Sequence, residues 1–356
     1  MRQRHILFGV AFAVVVAAMT MAPVSVSGQS ADDGSAPRTP WGHPDLQGYW
    51  TSSTYTPLQR PESLGDQAFL SEEELAAANE ILTAEGVDPL RARSYLAGAT
   101  EEERLERTQQ TQENIHYDNS IWLRENQPRR LAMRRTSLIV DPPNGRIPPL
   151  IPSAREREAL RRAESRWLTT NISPQSFDSH ETRTLQERCL VWRHEGPPML
   201  PPSYNDLMQI LQTEHYVVVM QEMRENDARI IPLDGRPHLP GSMREWSGDS
   251  RGRWEGDTLV VESINFNDKV HFNGSSTGLH VVERFTRVDD ENIRYEFTVT
   301  DPTTWVQPWS VEYPLMQRDG PLYEYACHEG NYDARHILEV ARNLDKAAAA
   351  DGEESR

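Results

Sequence analysis

Residues 279–300 read LHVVERFTRVDDENIRYEFTVT, two runs of alternating character joined by Asp289-Asp290-Glu291. Alternation with a period of two is the signature of a half-buried strand, and the acidic triplet supplies a turn. In the first run Leu279, Val281, Glu283, Phe285 and Arg287 fall on one face, with His280, Val282, Arg284 and Thr286 opposite. Glu283 therefore stands among apolar neighbours on the inward face. A carboxylate there is either paired or raised in pKa, because burial disfavours its charged form. Two readings follow: a general acid or base inside a pocket, or a structural ion pair with an arginine such as Arg251 or Arg253.

The same pattern extends in both directions. After about Tyr204 the candidates are LMQILQT, HYVVVMQEM, ARIIPL, DTLVVESINF, the two runs above, WSVEYPLMQ and LYEYACHE, with turn signals at Asp234-Gly235, Glu255-Gly256 and Asp319-Gly320-Pro321. Short strands at this spacing predict a mainly β fold, an antiparallel lipocalin-like barrel or sandwich with a helical insertion. The insertion is expected over 71–170: Ser71 and Glu74 form a capping box ahead of LAAANEILTAEG, and further helical text covers 101–114 and 153–167. The organisation expected is a signal peptide over 1–28, an extended arm with a first strand over 29–70, the insertion, an antiparallel β domain over 171–335, and a C-terminal helix and tail over 336–356.

The leader reading rests on Arg2 and Arg4, the apolar run Ile6–Ala18 and the small residues that follow it. That layout marks a cleaved secretory signal, and the run is shorter than the ~20 residues a membrane span needs. A periplasmic or secreted protein without stable membrane insertion is the expectation. Export makes Cys189 and Cys327 a natural disulfide; a tetrahedral zinc shell drawing on His194 and His328 is the competing reading. The chain has 54 acidic and 37 basic side chains, a net charge of −17, and only two lysines, Lys269 and Lys346. Nucleic acid is thus not an expected partner, and neither a phosphate-loop lysine nor a polybasic membrane patch is supplied. No cofactor motif is present, so none is expected. The partner expected is a small-molecule ligand or substrate, with the oligomeric state left open.

The strings RIIPLDGRPH, GDSRGRWEGDTLVVES, VERFTRVDDENIRYEFTVTDPTTW and YEYACHEGNY resemble those of a large family of secreted bacterial proteins of uncharacterised function. The resemblance covers nearly the whole chain beyond the leader and implies common ancestry without implying an activity. Gly48-Tyr49-Trp50 is similar to the Gly-x-Trp that opens lipocalins, which implies a ligand-binding barrel.

Chemistry-bearing residues gather in several places. His238, Asp249, Arg251, His328, Glu329 and Asn331 occupy loops and strand ends and offer imidazole, carboxylate, guanidinium and amide groups, the equipment of proton transfer and oxyanion stabilisation. Each can equally be a turn residue satisfying its own backbone. A metal shell from His238, His328 and Glu329 or Asp249 is a further reading, although no metal is assigned. Trp254 and Tyr295, with His280 beside them in the strands, suit the wall of a partly apolar ligand site, or an ordinary barrel core. Gly274-Ser275-Ser276-Thr277-Gly278 matches a nucleophile elbow in spelling, but a strand follows where a helix is required.

These residues support a first function, an exported binder of a small, partly apolar molecule held in a barrel pocket. A second is a cofactor-free hydrolase, lyase or isomerase with Glu283 or His328 as acid or base and Arg251 steadying negative charge. A third is an envelope interaction module.

Overall fold

The computed structural model describes residues 36–84, 87–109, 130–164, 177–191, 196–202, 206–222, 228–320 and 322–354. The leader reading over 1–28 lies outside them. Among the described residues ten strands form one antiparallel sheet: β1 (Gly48–Thr51), β2 (Ile139–Asp141), β3 (Leu207–Gln212), β4 (Tyr216–Gln221), β5 (Arg229–Pro232), β6 (Asp249–Glu255), β7 (Thr258–Ile264), β8 (His280–Arg287), β9 (Asn292–Thr300) and β10 (Trp309–Arg318). Nine run in the order β5-β4-β3-β1-β10-β9-β8-β7-β6, and β2 adds to β10. The result is the expected mainly β architecture, a nearly closed antiparallel barrel of lipocalin-like kind.

Alternation builds the interior. Val281, Glu283 and Phe285 of β8 are buried, as are Ile293, Tyr295, Phe297 and Val299 of β9 and Trp309, Val311, Tyr313 and Leu315 of β10. Hairpins set the registers: Glu255 pairs with Thr258, so Gly256-Asp257 is a two-residue loop, and Gly256 takes the positive φ of +59° that such a turn requires. The mouth near Trp50 is braced by Arg287, whose guanidinium lies 4.7 Å over the indole and donates to the Asp45 carbonyl at 2.8 Å.

The first and last strands of the series, β5 and β6, lie side by side and close the barrel through side chains. Arg229 of β5 donates to Ser250 Oγ of β6 at 3.1 Å. A Cβ added at Gly252 would sit 2.6 Å from Leu233 Cδ2 and 2.9 Å from Ile231 Cγ2. Glycine lets the two edges approach.

The helices lie apart from this interior. They are α1 (Glu72–Leu82), α2 (Pro89–Ala92), α3 (Glu101–Glu106), α4 (Pro152–Glu164) and α5 (Asp333–Glu354). The Ser71 capping box forms, with Ser71 and Glu74 each bonding the other's backbone. Leu82, Tyr95, Leu96 and Leu131 make a second, smaller hydrophobic cluster. Three details differ from the sequence expectation. The stretch 71–170 expected as a helical insertion also supplies β2, which pairs with β10. GDSRGRWE is a strand, β6, and LYEYACHE is not: residues 325–332 fold into tight turns such as Cys327 N–H to the Tyr325 carbonyl at 2.9 Å. Both sides of β10 are already paired, with β9 on one and with β1 and β2 on the other, so the sheet offers that segment no edge there. Among the described residues no helix is long and apolar enough to cross a membrane.

Because the seam depends on a missing side chain, Gly252→Val is expected to destabilise the fold by about 1–3 kcal/mol through overpacking. Urea unfolding checks it; an unchanged midpoint would mean that the β5 and β6 edges do not pack as described.

Candidate functional site

The inward-facing candidates form one connected network. Glu283 is fully buried and receives Arg229 through both guanidinium nitrogens, Nη1 to Oε1 at 2.9 Å and Nη2 to Oε2. Arg229 also reaches Ser250 Oγ and, at 3.0 Å, Ser263 Oγ. Tyr295 donates its hydroxyl to Glu283 Oε1 at 2.7 Å and accepts from Met199 N–H at 3.0 Å, while Tyr313 donates to the Met199 carbonyl at 3.0 Å. Burial, followed by the nearby Glu283 charge, pushes both phenols well above the usual tyrosine range, so they remain protonated donors. Of the two readings given to Glu283, the geometry makes the ion pair, and the partner is Arg229 rather than Arg251 or Arg253. Parity explains the exchange. Arg251 lies across from Glu262 on the outward face of β6 and β7, where it cannot reach an inward carboxylate.

The barrel interior is packed. Trp50, Phe285, Tyr295, Phe297, Trp309, Tyr313 and Met199 are each at most 1% exposed. The polar candidates of the outer wall run instead from Asp249 and His238 Nε2, both buried, to Glu262 and His280, both half-exposed. Asp249 accepts from His238 Nδ1 and from the Leu239 amide, both at 2.8 Å, and binds Arg251 Nη1 through its other oxygen. Arg251 also donates to the carbonyls of Pro237 at 3.1 Å and Ser250 at 2.7 Å. With Nδ1 fixed on Asp249, His238 turns Nε2 toward Glu262, 3.9 Å from Oε2. The other Glu262 oxygen pairs with His280 Nε2 at 2.8 Å. The row Asp249, His238, Glu262, His280 thus alternates carboxylate and imidazole from a buried end to one where Glu262 and His280 are each 38% exposed.

A loop delivers His238 to this row. The chain after β5 folds back over β6 and β7 and is held there by Asn265 Nδ2 to the Leu239 carbonyl at 2.8 Å and by Glu245 N–H to the Asn265 carbonyl at 3.0 Å. Four sequence candidates, His238, Asp249, Arg251 and His280, meet here. The unanticipated member is Glu262, whose outward parity on VVESI was legible once Val261 and Ser263 are placed inward.

The remaining candidates stand elsewhere. Cys189 and Cys327 are disulfide-bonded across a separation of 138 residues, with Cα atoms 5.8 Å apart. The zinc reading that used these sulfurs is thereby replaced. Asn331 belongs to this corner, its amide donating to the Glu187 carbonyl at 3.2 Å and to Cys189 Sγ at 3.1 Å. His328 and Glu329 lie exposed in the adjoining turn. Trp254 points inward, half-buried, with the His43 ring stacked on it at 4.6 Å. Ser276 bonds Asp301 Oδ2 at 2.9 Å and Thr303 Oγ1 at 2.8 Å, the pattern of a loop cap. Among the described residues no group of three or more His, Cys, Asp and Glu side chains is arranged to hold a metal ion.

Comparison with known proteins finds no matching family model, no matching curated protein and no matching solved structure.

Two outcomes follow for the groups that frame the site. Glu283→Gln leaves Arg229 buried without its counter-charge and is expected to cost about 3–5 kcal/mol, whereas replacing both partners with apolar residues costs much less; urea unfolding of the single and double variants compares them. Reduction of Cys189–Cys327 is expected to lower stability by roughly 4–5 kcal/mol on the chain-entropy estimate, and a thermal midpoint unmoved by reductant would contradict it.

Proposed function

We propose that this is an exported barrel protein that binds a small, partly apolar molecule on its outer wall, at the row formed by His238, Glu262 and His280. Export is supported by the leader reading and by the disulfide, which forms and persists in oxidising compartments. The single observation behind the binding reading is the pairing of Glu262 with His280 at 2.8 Å, both half-exposed, with the buried Nε2 of His238 3.9 Å behind the same carboxylate. A hydroxyl or amino group of a ligand finds a carboxylate acceptor there, and a ligand carbonyl finds an imidazole donor. Val282, directly across from Glu262, and Leu239 beside His238 provide apolar contact for the rest of the molecule.

The packed interior directs this reading to the outer wall. A ligand in the lumen would have to displace Met199 from Tyr295 and Tyr313. A second reading, acid–base turnover by the same row, is favoured by one feature: Asp249 fixes the His238 ring and aims its Nε2, which has no hydrogen-bond partner among the described residues, at Glu262.

The test is a thermal-shift screen of the chain against polar and partly apolar metabolites, followed by assay of each hit for consumption. Glu262→Gln and His280→Asn are expected to abolish at least tenfold of the affinity, about 1.4 kcal/mol, with unfolding midpoints close to the parent because both residues are half-exposed. Stabilisation with the ligand unchanged in amount supports binding, and consumption supports turnover. Hits whose affinity survives both substitutions would displace the site, and an absence of hits across broad panels would put the interaction module ahead.

A further inference from the structure

The outward face of β3, β4 and β5 differs in kind from that of β6, β7 and β8. Ile210, Val217, Val219 and Ile231 fill the inward positions, so alternation sends Leu211, Tyr216, Val218, Met220 and Ile230 to the outside. Leu211 stands directly across from Val218, and Val218 directly across from Ile230, which makes one apolar row over three strands. Met220 lies two residues along from Val218 on the same face. Leu211 is 41% exposed, Met220 37% and Ile230 60%. Gln209 is the remaining outward residue of β3, and no outward position on these three strands carries a charge. On β6, β7 and β8 the same face holds Arg251, Arg253, Glu262 and Arg284.

A contiguous exposed row of aliphatic side chains marks a contact surface, and charge selects its occupant. An acidic or basic partner finds nothing to pair with in the row. Two copies of a chain with net charge −17 repel one another, and that repulsion is least where both present an uncharged wall. The rim adds complementarity. Glu214 is exposed in the hairpin that joins β3 to β4, and Arg236, which follows β5, lies 5.9 Å over the Tyr216 ring and donates to its hydroxyl at 3.2 Å. Asp234 engages Arg236 through Nε and Nη2, so Nη1 is the nitrogen left unengaged among the described residues. A two-fold axis running along β4 lays β3 of one copy over β5 of the other. Leu211 then meets the second copy's Ile230 and Glu214 approaches its Arg236, each contact made twice by symmetry.

We infer that the outward face of β3, β4 and β5 is the contact surface of a two-fold dimer, occupied by the same wall of a second copy. Leu211, Val218, Met220 and Ile230 interdigitate at its centre, with Glu214 and Arg236 at the rim. The two walls pack face to face about 10 Å apart, as the sheets of a sandwich do. The row of His238, Glu262 and His280 takes no part in this contact, so the dimer does not rest on the ligand-binding reading and either can fail alone.

Sedimentation velocity of the full disulfide-bonded chain, followed from about 1 to about 100 μM, reads the association directly. The parent is expected to pass from monomer to dimer within that range. Ile230→Glu and Met220→Glu each place an unpaired charge at the centre of the contact and are expected to weaken association at least about tenfold. Glu214→Arg, in the hairpin and away from the core, is expected to weaken it about threefold through the rim pair. Leu344→Glu, on the exposed part of α5, is expected to leave it unchanged. A parent that stays monomeric throughout would overturn the inference. So would a dimer that withstands both Ile230→Glu and Met220→Glu, or one lost in Leu344→Glu, which would put the contact on the helix. Far-UV circular dichroism verifies that each variant folds; if Ile230→Glu does not, Met220→Glu and Glu214→Arg decide.

Discussion

One guanidinium holds the barrel shut. Arg229 leaves β5, crosses to Ser250 on β6 and Ser263 on β7, and ends on Glu283 of β8; Tyr295 of β9 then joins Glu283 to Met199, and Tyr313 of β10 completes the chain of bonds. Six consecutive strands around the wall are linked through a polar thread at the centre of an otherwise apolar interior. The desolvation cost of two buried charges is large, and a pair of this kind often adds little net stability against a well-packed apolar replacement. Its contribution lies in specifying which edges meet. A sheet whose two end strands lack a shared ladder could remain open or slip in register, and an unmatched buried carboxylate makes every arrangement without Arg229 costly.

That arrangement determines where chemistry can occur. With Trp50, Phe285, Phe297 and Trp309 filling the space that the thread leaves and Arg287 set over Trp50 at the mouth, the inner face serves folding, and alternation places the other polar residues of β6, β7 and β8 outward. Asp249, Arg251, Glu262 and His280 are neighbours on that wall because antiparallel registers bring Arg251 opposite Glu262 and bring β8 alongside β7. The outer row and the inner thread are thus two faces of the same strands. Ser250 and Ser263 point in between residues that point out.

Much of this was present in the alternation. The inward position of Glu283, the hairpin at Gly256-Asp257 and the burial of Tyr295 follow from parity and turn chemistry alone. Arg229 did not, since its contact with Glu283 spans 54 positions and exists only once the sheet curls until β5 meets β6. Parity could nevertheless have excluded Arg251 and Arg253, because the turn fixes both of them outward. LYEYACHE shows the opposite limit: its pattern is strand-like, but pairing requires a free edge, and β10 has none to offer. GDSRGRWE lacks an obvious apolar face because its inward positions are Ser250, Gly252 and Trp254, one of them polar for the thread and one empty for the seam.

His238 was identifiable as a chemical group but not as a neighbour of Glu262, because its place is set by a loop and not by a strand. The loop is fixed from several directions. Arg251 Nε donates to the Pro237 carbonyl, the Leu239 amide donates to Asp249, Asn265 Nδ2 donates to the Leu239 carbonyl, and Arg244 donates to the carbonyls of Phe266 and Thr277, the last two at 3.1 Å. Asp249 therefore has two tasks, anchoring the backbone beside His238 and orienting its ring. A carboxylate that served only to pair with Arg251 would need neither the amide nor the imidazole. Its convergence with both makes the position of His238 Nε2 a consequence of the same contacts that pin the loop, so the imidazole is preorganised against Glu262 without any hydrogen bond of its own on that nitrogen among the described residues.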